Sequence, residues 1–109
     1  MEFRLKITAR ARRDFNSIGR FISPDDPAAI TEFGERLLSR AESLTTFPYR
    51  HGSLTDQSNI RKVPFRSYII YYKIRDDKRL VEILRFWHTA RNQSRLRLKE
   101  ETPAYAAQT

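Results

Sequence analysis

The chain has 109 residues, which fits a single domain with one hydrophobic core able to hide roughly two-thirds of the unfolded chain's surface. It contains no cysteine, which excludes disulfides, thiolate zinc sites and cysteine nucleophiles, and its two histidines, His51 and His88, are too few for a histidine metal cage. Lys plus Arg is 21 against 13 Asp plus Glu, a net charge of +8 that points to an acidic partner or nucleic acid and excludes nothing about fold.

Residues 2–8, EFRLKIT, alternate with Phe3, Leu5 and Ile7 on one face, the pattern of a half-buried strand. A helix is expected from about residue 9 to residue 22, with Thr8 as its N-cap and an apolar stripe of Ala11, Phe15, Ile18 and Ile22. Arg10, Arg12, Arg13 and Arg20 fall mostly off that stripe and read as a solvated helix face. The second helix begins where Asp26 precedes Pro27, and its apolar face runs Ile30, Phe33, Leu37, Ala41 and Leu44. It stops at Thr45, Thr46, Phe47 and Pro48. The short link between the two helices implies an antiparallel helix hairpin.

A polar loop over residues 47–59 leads to three strands, at 60–63, 68–75 and 80–88. The first ends at Pro64, which suits an edge position or a bulge. Asp76, Asp77 and Lys78 read as a hairpin turn. A short basic helix is expected near 92–99, and residues 101–109 read as a flexible tail behind a domain of residues 1–100. The fold class is therefore α+β: an N-terminal strand, an antiparallel helix hairpin, then a three-stranded antiparallel meander forming one sheet.

Both faces of the later strands are apolar. Tyr68, Ile70, Tyr72 and Ile74 oppose Ile69 and Tyr71; strict alternation sets Val81, Ile83 and Trp87 against Leu80, Leu84 and Phe86. Two helices cover one face only, so the other is either an open aromatic surface, a surface covered by another chain, or one covered by the protein's own tail.

Taken in order, these pieces resemble one family. They are the first strand running into Thr8 and Ala9; Asp14, Phe15 and Ile18; Pro27, Ala28 and Ala29; Leu44, Phe47, Pro48 and Gly52; Arg61; the YIIYY run at 68–72; and the VEIL run at 81–84 leading to His88, Thr89, Ala90, Arg91 and Asn92. The set is similar to the ParE/RelE toxins of bacterial type II toxin–antitoxin systems, from about Phe3 to Asn92. The resemblance implies a toxin; the absence of an apolar run near 18 residues, and of a signal-peptide core in the alternating MEFRLKITAR start, sets the expectation of a cytoplasmic protein with no membrane partner, and no cofactor is expected. The resemblance also implies a cognate antitoxin with an acidic or amphipathic C-terminal segment that wraps across the toxin.

The family's targets divide in two. ParE-like members poison DNA gyrase; RelE-like members cut messenger RNA on the ribosome. Cutting requires a base for the 2′-hydroxyl, an acid for the 5′-oxygen and cations around the phosphorane. The chain supplies His88, Arg85 and Arg61 toward such a set. It lacks the Lys-x-Lys pattern of RelE-like strands, reading Ile60, Arg61, Lys62, Val63 there, and its Tyr105 lies in the tail. Gyrase inhibition is thus the preferred expectation, with the ribosome and mRNA as the alternative target. Residues expected to contact the target or antitoxin are Arg61, Lys62, Arg66, Tyr71, Arg85, Trp87, His88, Arg91, Arg95 and Arg97. Arg91 and Asn92 have a plainer reading too, capping the strand end or pairing with Asp14. A generic nucleic-acid-binding module is the third reading; no helix-turn-helix, zinc or single-strand-binding signature supports it.

Overall fold

Thr8 sits where the first strand becomes a helix, and it is bonded in both directions. In the computed structural model, which describes residues 3–22, 25–52, 59–96 and 98, its hydroxyl accepts from the Ala11 N–H at 3.2 Å and donates to the Ile83 carbonyl at 2.9 Å. The N-cap of the helix is therefore also a tether to the central sheet. Before it runs β1 (Arg4–Ile7); after it runs α1 (Ala9–Asn16), followed by a 3-10 turn at Ile18–Arg20. The helix is shorter than its apolar stripe suggested. Ser17 ends it by donating its hydroxyl to the Arg13 carbonyl at 3.0 Å and its N–H to the Asp14 carbonyl at 3.0 Å, a tightened last turn.

The second helix, α2 (Pro27–Ser43), starts as its sequence dictates: the Asp26 carboxylate accepts from the Ala29 N–H at 3.1 Å, and Pro27 fills the first helical position. Phe33, Leu37, Ala41 and Leu44 from this region enter the core. Gly34 faces the end of the first helical segment. A Cβ there would lie 3.2 Å from the Phe15 ring and 3.3 Å from Ile18, so only glycine permits this approach without displacement.

Three strands complete the sheet: β2 (Ile60–Phe65), β3 (Tyr68–Arg75) and β4 (Leu80–His88). The spatial order is β1-β4-β3-β2. β2 carries Pro64 without loss because it is the edge strand. β2, β3 and β4 form the antiparallel meander, but the sheet as a whole is mixed, because β1 pairs with β4 in parallel, from Arg4 opposite Leu80 to Ile7 opposite Ile83. Two hairpins return β4 to the direction of β2, and the helices carry the chain across the face between β1 and β2. Both hairpin turns place a non-glycine residue in the left-handed region, Arg66 at φ 56° and Arg79 at φ 50°.

One irregularity corrects the face assignment made from alternation. In the β3–β4 ladder Tyr71 faces Arg85 and Tyr72 faces Ile83, leaving Leu84 as an extra residue. This β-bulge shifts the alternation by one. Val81, Ile83 and Phe86 therefore face the helices, together with Tyr68, Ile70, Tyr72 and Ile74. Trp87 joins Leu84 and Tyr71 on the opposite side, the reverse of the strict-alternation reading for Trp87 and Phe86. That opposite side is not left open. Ile60, Ile69, Leu96 and Leu98 pack against it, so the chain's own segment after β4 provides the cover. Of the expected basic helix there, the described residues form a 3-10 turn at Gln93–Arg95, where the Asn92 side chain accepts from the Ser94 N–H at 3.0 Å; Arg97 and Lys99 lie outside the described residues, as does the 101–109 tail.

The segment after α2 is strapped to the sheet. Phe47 adopts φ 57°, Pro48–Arg50 form a 3-10 turn, and the buried Tyr72 hydroxyl donates to the Pro48 carbonyl at 2.6 Å. Arg61 donates from Nη1 to the His51 carbonyl. Replacing Tyr72 by Phe leaves the Pro48 carbonyl unpaired and is expected to cost about 1–2 kcal/mol in chemical denaturation. A change of only a few tenths would mean that Arg61 alone holds the strap.

Candidate functional site

Arg10, Arg13, Ser17 and Arg20 follow one another at helical spacing, three, four and three residues apart. They form one wall of a cleft of about 350 Å³. Phe21 stands at its rim, and Arg85 and Arg91 close the other side. The cleft exists because β1 ends opposite Ile83. Beyond that point the β4 edge has no strand beside it, and α1 lies there instead.

Asp14 joins the two walls. Its Oδ2 accepts from Arg85 Nε at 2.6 Å and from the Phe86 N–H at 3.1 Å; its Oδ1 accepts from Arg85 Nη2 at 2.8 Å. Arg91 Nη1 lies 3.6 Å from the same Oδ1. The carboxylate thus satisfies the exposed backbone donor of a sheet edge and clamps a guanidinium with two parallel bonds. Asp14 is 9% exposed and Arg85 5%. The five arginines and one aspartate that line the cleft leave a net charge of +4 around a carboxylate already committed to its partners.

His88, at the end of β4, stacks on Phe21 with ring centroids 4.3 Å apart and meets Tyr68 edge-on at 5.0 Å. Its Nδ1 accepts from the Ala90 N–H at 3.0 Å, which assigns the proton to Nε2 in the neutral ring. Burial lowers its pKa from the ordinary histidine value. His51 is lowered too, by burial first and then by Arg40, Arg50 and Arg61.

The other residues singled out from the sequence scatter. Arg61 pairs with Tyr72 and His88 with Tyr68, positions about 13 Å apart along β3, and β2 and β4 flank β3 on opposite sides, which adds about 10 Å across the sheet. The Arg61 guanidinium lies 5.0 Å above the Tyr49 ring, at the strap. Arg85 is buried on Asp14. His88, Arg85 and Arg61 therefore do not converge on one phosphate. Lys62 is exposed on β2; Arg66 is exposed at the hairpin, 5.2 Å over Phe65 and 5.7 Å over Phe33. Tyr71 and Trp87 are buried beneath Leu96 and Leu98, and Arg85 and Arg91 sit 4.9 and 4.2 Å from the Trp87 ring centre. Arg95 is exposed on the last turn. Arg91 is exposed and lies beside Asp14, the pairing that its plainer reading named.

The sequence places Arg10, Arg12, Arg13 and Arg20 on a solvated helix face; Arg12, Arg13 and Arg20 are exposed, and Arg10, Arg13 and Arg20 also line the cleft. The signal for the cleft was present in their helical spacing, which puts them on one face with Asp14. What it lacked was the placement of that face against β4.

Four-stranded α+β chains of this layout recur among small toxins. The structure of an E. coli toxin RelE mutant in the free state superposes with a TM-score of 0.62 at 18% identity, covering 83% of this chain and 86% of that one. The chromosomal ParDE toxin–antitoxin system of P. aeruginosa gives 0.60 at 14% identity, covering 80% and 96%. At these identities the likeness establishes the RelE/ParE-like fold.

Sequence relationship goes further. The family described as ParE toxin of type II toxin–antitoxin system, parDE, matches residues 5–93. Toxin RelE1 of Caulobacter vibrioides is 31% identical over 90 residues, covering 81% of this chain and 95% of that toxin. The chain belongs to the ParE/RelE family of toxins from type II toxin–antitoxin systems.

Proposed function

We propose that this toxin arrests growth by binding DNA gyrase, without chemistry of its own, and that a cognate antitoxin with an acidic or amphipathic C-terminal segment neutralises it. The observation that carries this reading is the dispersal of His88, Arg85 and Arg61. An RNA-cleaving site needs its acid, base and cations around one phosphate. Here Arg85 is consumed by Asp14, Arg61 lies about 13 Å along the sheet from His88, and the His88 ring is held by Phe21, Tyr68 and the Ala90 N–H. The antitoxin part of the proposal is supported by the P. aeruginosa ParDE system, which shares this fold. Net charge +8 favours an acidic partner segment.

Messenger-RNA cleavage on the ribosome is the second reading, favoured by the relative named Toxin RelE1. Tightly controlled induction in bacteria separates the two. Under the gyrase reading thymidine incorporation falls within minutes while methionine incorporation continues, purified toxin inhibits supercoiling at micromolar concentration, and His88→Ala stays toxic. Early loss of methionine incorporation, abolished by His88→Ala, would establish the ribonuclease reading instead.

A further inference from the structure

We propose that residues 47–51, the strap between α2 and the sheet, form an acid-opened latch: a proton on the His51 imidazole releases the strap from β2 and β3. Three observations combine. The first is how the strap is held. Two side chains of the sheet reach its backbone, the Tyr72 hydroxyl at the Pro48 carbonyl, 2.6 Å away, and Arg61 Nη1 at the His51 carbonyl. Within the strap the Arg50 N–H donates to the Phe47 carbonyl at 3.1 Å. Tyr49 completes the fastening, edge-on to Phe3 at 6.4 Å and with the Arg61 guanidinium 5.0 Å from its ring centre.

The second is that closure is strained. Phe47 stands at φ 57°, ψ 57°, a left-handed conformation that bulky side chains rarely adopt, and the proline after it favours extended backbone at that position. Its ring is 71% exposed, so packing does not offset the strain. Arg61 Nε is buried and has no hydrogen-bond partner among the described residues. Opening relieves the strain and hydrates the orphaned donor, so the closed strap stands near balance with the open one.

The third is the charge around His51. Its half-buried ring meets Tyr72 of β3 edge-on at 6.5 Å. The charged groups that act on it come from three elements and are all cations: Arg40 of α2, Arg50 of the strap and Arg61 of β2. Tyr72 holds its own proton up to about pH 12 and stays neutral. Among the described residues no carboxylate pairs with His51. Burial first, then the three cations, hold the closed ring below the ordinary histidine value of 6.5, which the ring regains once the strap is open. The open form therefore binds the proton more readily. Opening is favoured as pH falls through 6.5, and the effect saturates when the closed ring is protonated as well. His88 is also lowered by burial, but it pairs with Tyr68 at the other end of β3.

The test follows the purified full chain by NMR between pH 7.5 and 5. Protection of the Arg50 amide against hydrogen exchange, corrected for the intrinsic pH dependence of exchange, is expected to fall about threefold or more, while the amides of β4 keep theirs. The amide shifts of residues 47–52 should move with the midpoint of the His51 ring and not with that of His88. His51→Gln cannot take the proton and keeps the backbone carbonyl, so its strap should stay closed at pH 5. Arg40→Gln removes one of the three cations and should shrink the fall; His88→Gln should leave it unchanged. Unchanged Arg50 protection at pH 5 would overturn the proposal. So would a fall that persists in His51→Gln, or strap shifts that follow His88. Should His51→Gln fail to fold, the two histidine midpoints in the native chain decide the matter alone.

Discussion

Asp14→Ala is expected to lower the unfolding free energy by about 3–5 kcal/mol, the usual cost of stranding one member of a buried ion pair. Arg85, 5% exposed, would lose both of its carboxylate bonds, and the Phe86 N–H would face a cavity with no acceptor. Against a typical domain stability of about 5–15 kcal/mol this is a large fraction, and a midpoint drop of about 15–30 °C follows for a chain of this size. Two further variants separate the contributions. Asp14→Asn keeps an acceptor for the Phe86 N–H and removes only the charge, so it should lose less. Asp14→Leu combined with Arg85→Leu removes both charges and should recover most of the deficit of Asp14→Ala, leaving mainly the orphaned N–H. If Asp14→Ala shifts urea denaturation by less than 1 kcal/mol, Arg85 has found water or another partner and the pair is not the clamp that its distances imply.

That pair also shows why part of the fold was legible in the sequence and part was not. Local signals worked where local chemistry decides the outcome. Asp26 before Pro27 fixed the start of α2 and the Thr8 side chain capped α1; Pro64 suited an edge or a bulge, and β2 is the edge strand, although it runs on through Pro64 to Phe65 instead of stopping at residue 63. Periodicity failed at Leu84, because a bulge is an insertion relative to a partner strand and leaves no mark in a strand rich in apolar residues on both faces. The direction of β1 was equally invisible, since parallel and antiparallel neighbours bury the same alternate residues. The outer sheet face allowed three alternatives, an open surface, another chain or the tail; Leu96 and Leu98, which precede that tail, pack on it, two residues whose basic surroundings gave no sign of burial. The cleft was missed for a related reason. A stripe of arginines on a helix is ordinarily solvated, and only the docking of α1 on the free end of β4 sets that stripe opposite Arg85 and Arg91. Residues that cap, turn or break were thus readable one at a time. Residues that act across elements needed the register.

Alkali is expected to unfold the protein steeply between pH 10 and 12, and two tyrosines are the cause. Burial pushes the Tyr68 hydroxyl up to about 12, with the Asp14 charge adding to the rise and Arg91 opposing it. Burial does the same to Tyr72, also to about 12, against the opposing charges of Arg61, Arg40 and Arg50. Both side chains are 2% exposed or less. Tyr72 spends its proton on the Pro48 carbonyl, and the Tyr68 hydroxyl has no hydrogen-bond partner among the described residues. In the unfolded chain both ionise near pH 10. The folded state therefore binds more protons than the unfolded state across this window. The contribution of each tyrosine is complete below pH 10 and is lost as pH rises toward 12, at about 1.4 kcal/mol per pH unit. Two together remove about 3 kcal/mol per unit and about 5–6 kcal/mol across the window, which matches the low end of ordinary domain stability. Parallel titrations by circular dichroism and by tyrosinate absorbance should show two tyrosines ionising only as the fold is lost. Tyr68→Phe should halve the slope of stability against pH while leaving the Pro48 bond intact. Tyrosinate appearing for all tyrosines near pH 10 in a protein that keeps its circular dichroism would show that water reaches Tyr68 and Tyr72, and that the sheet does not seal them as closely as their burial requires.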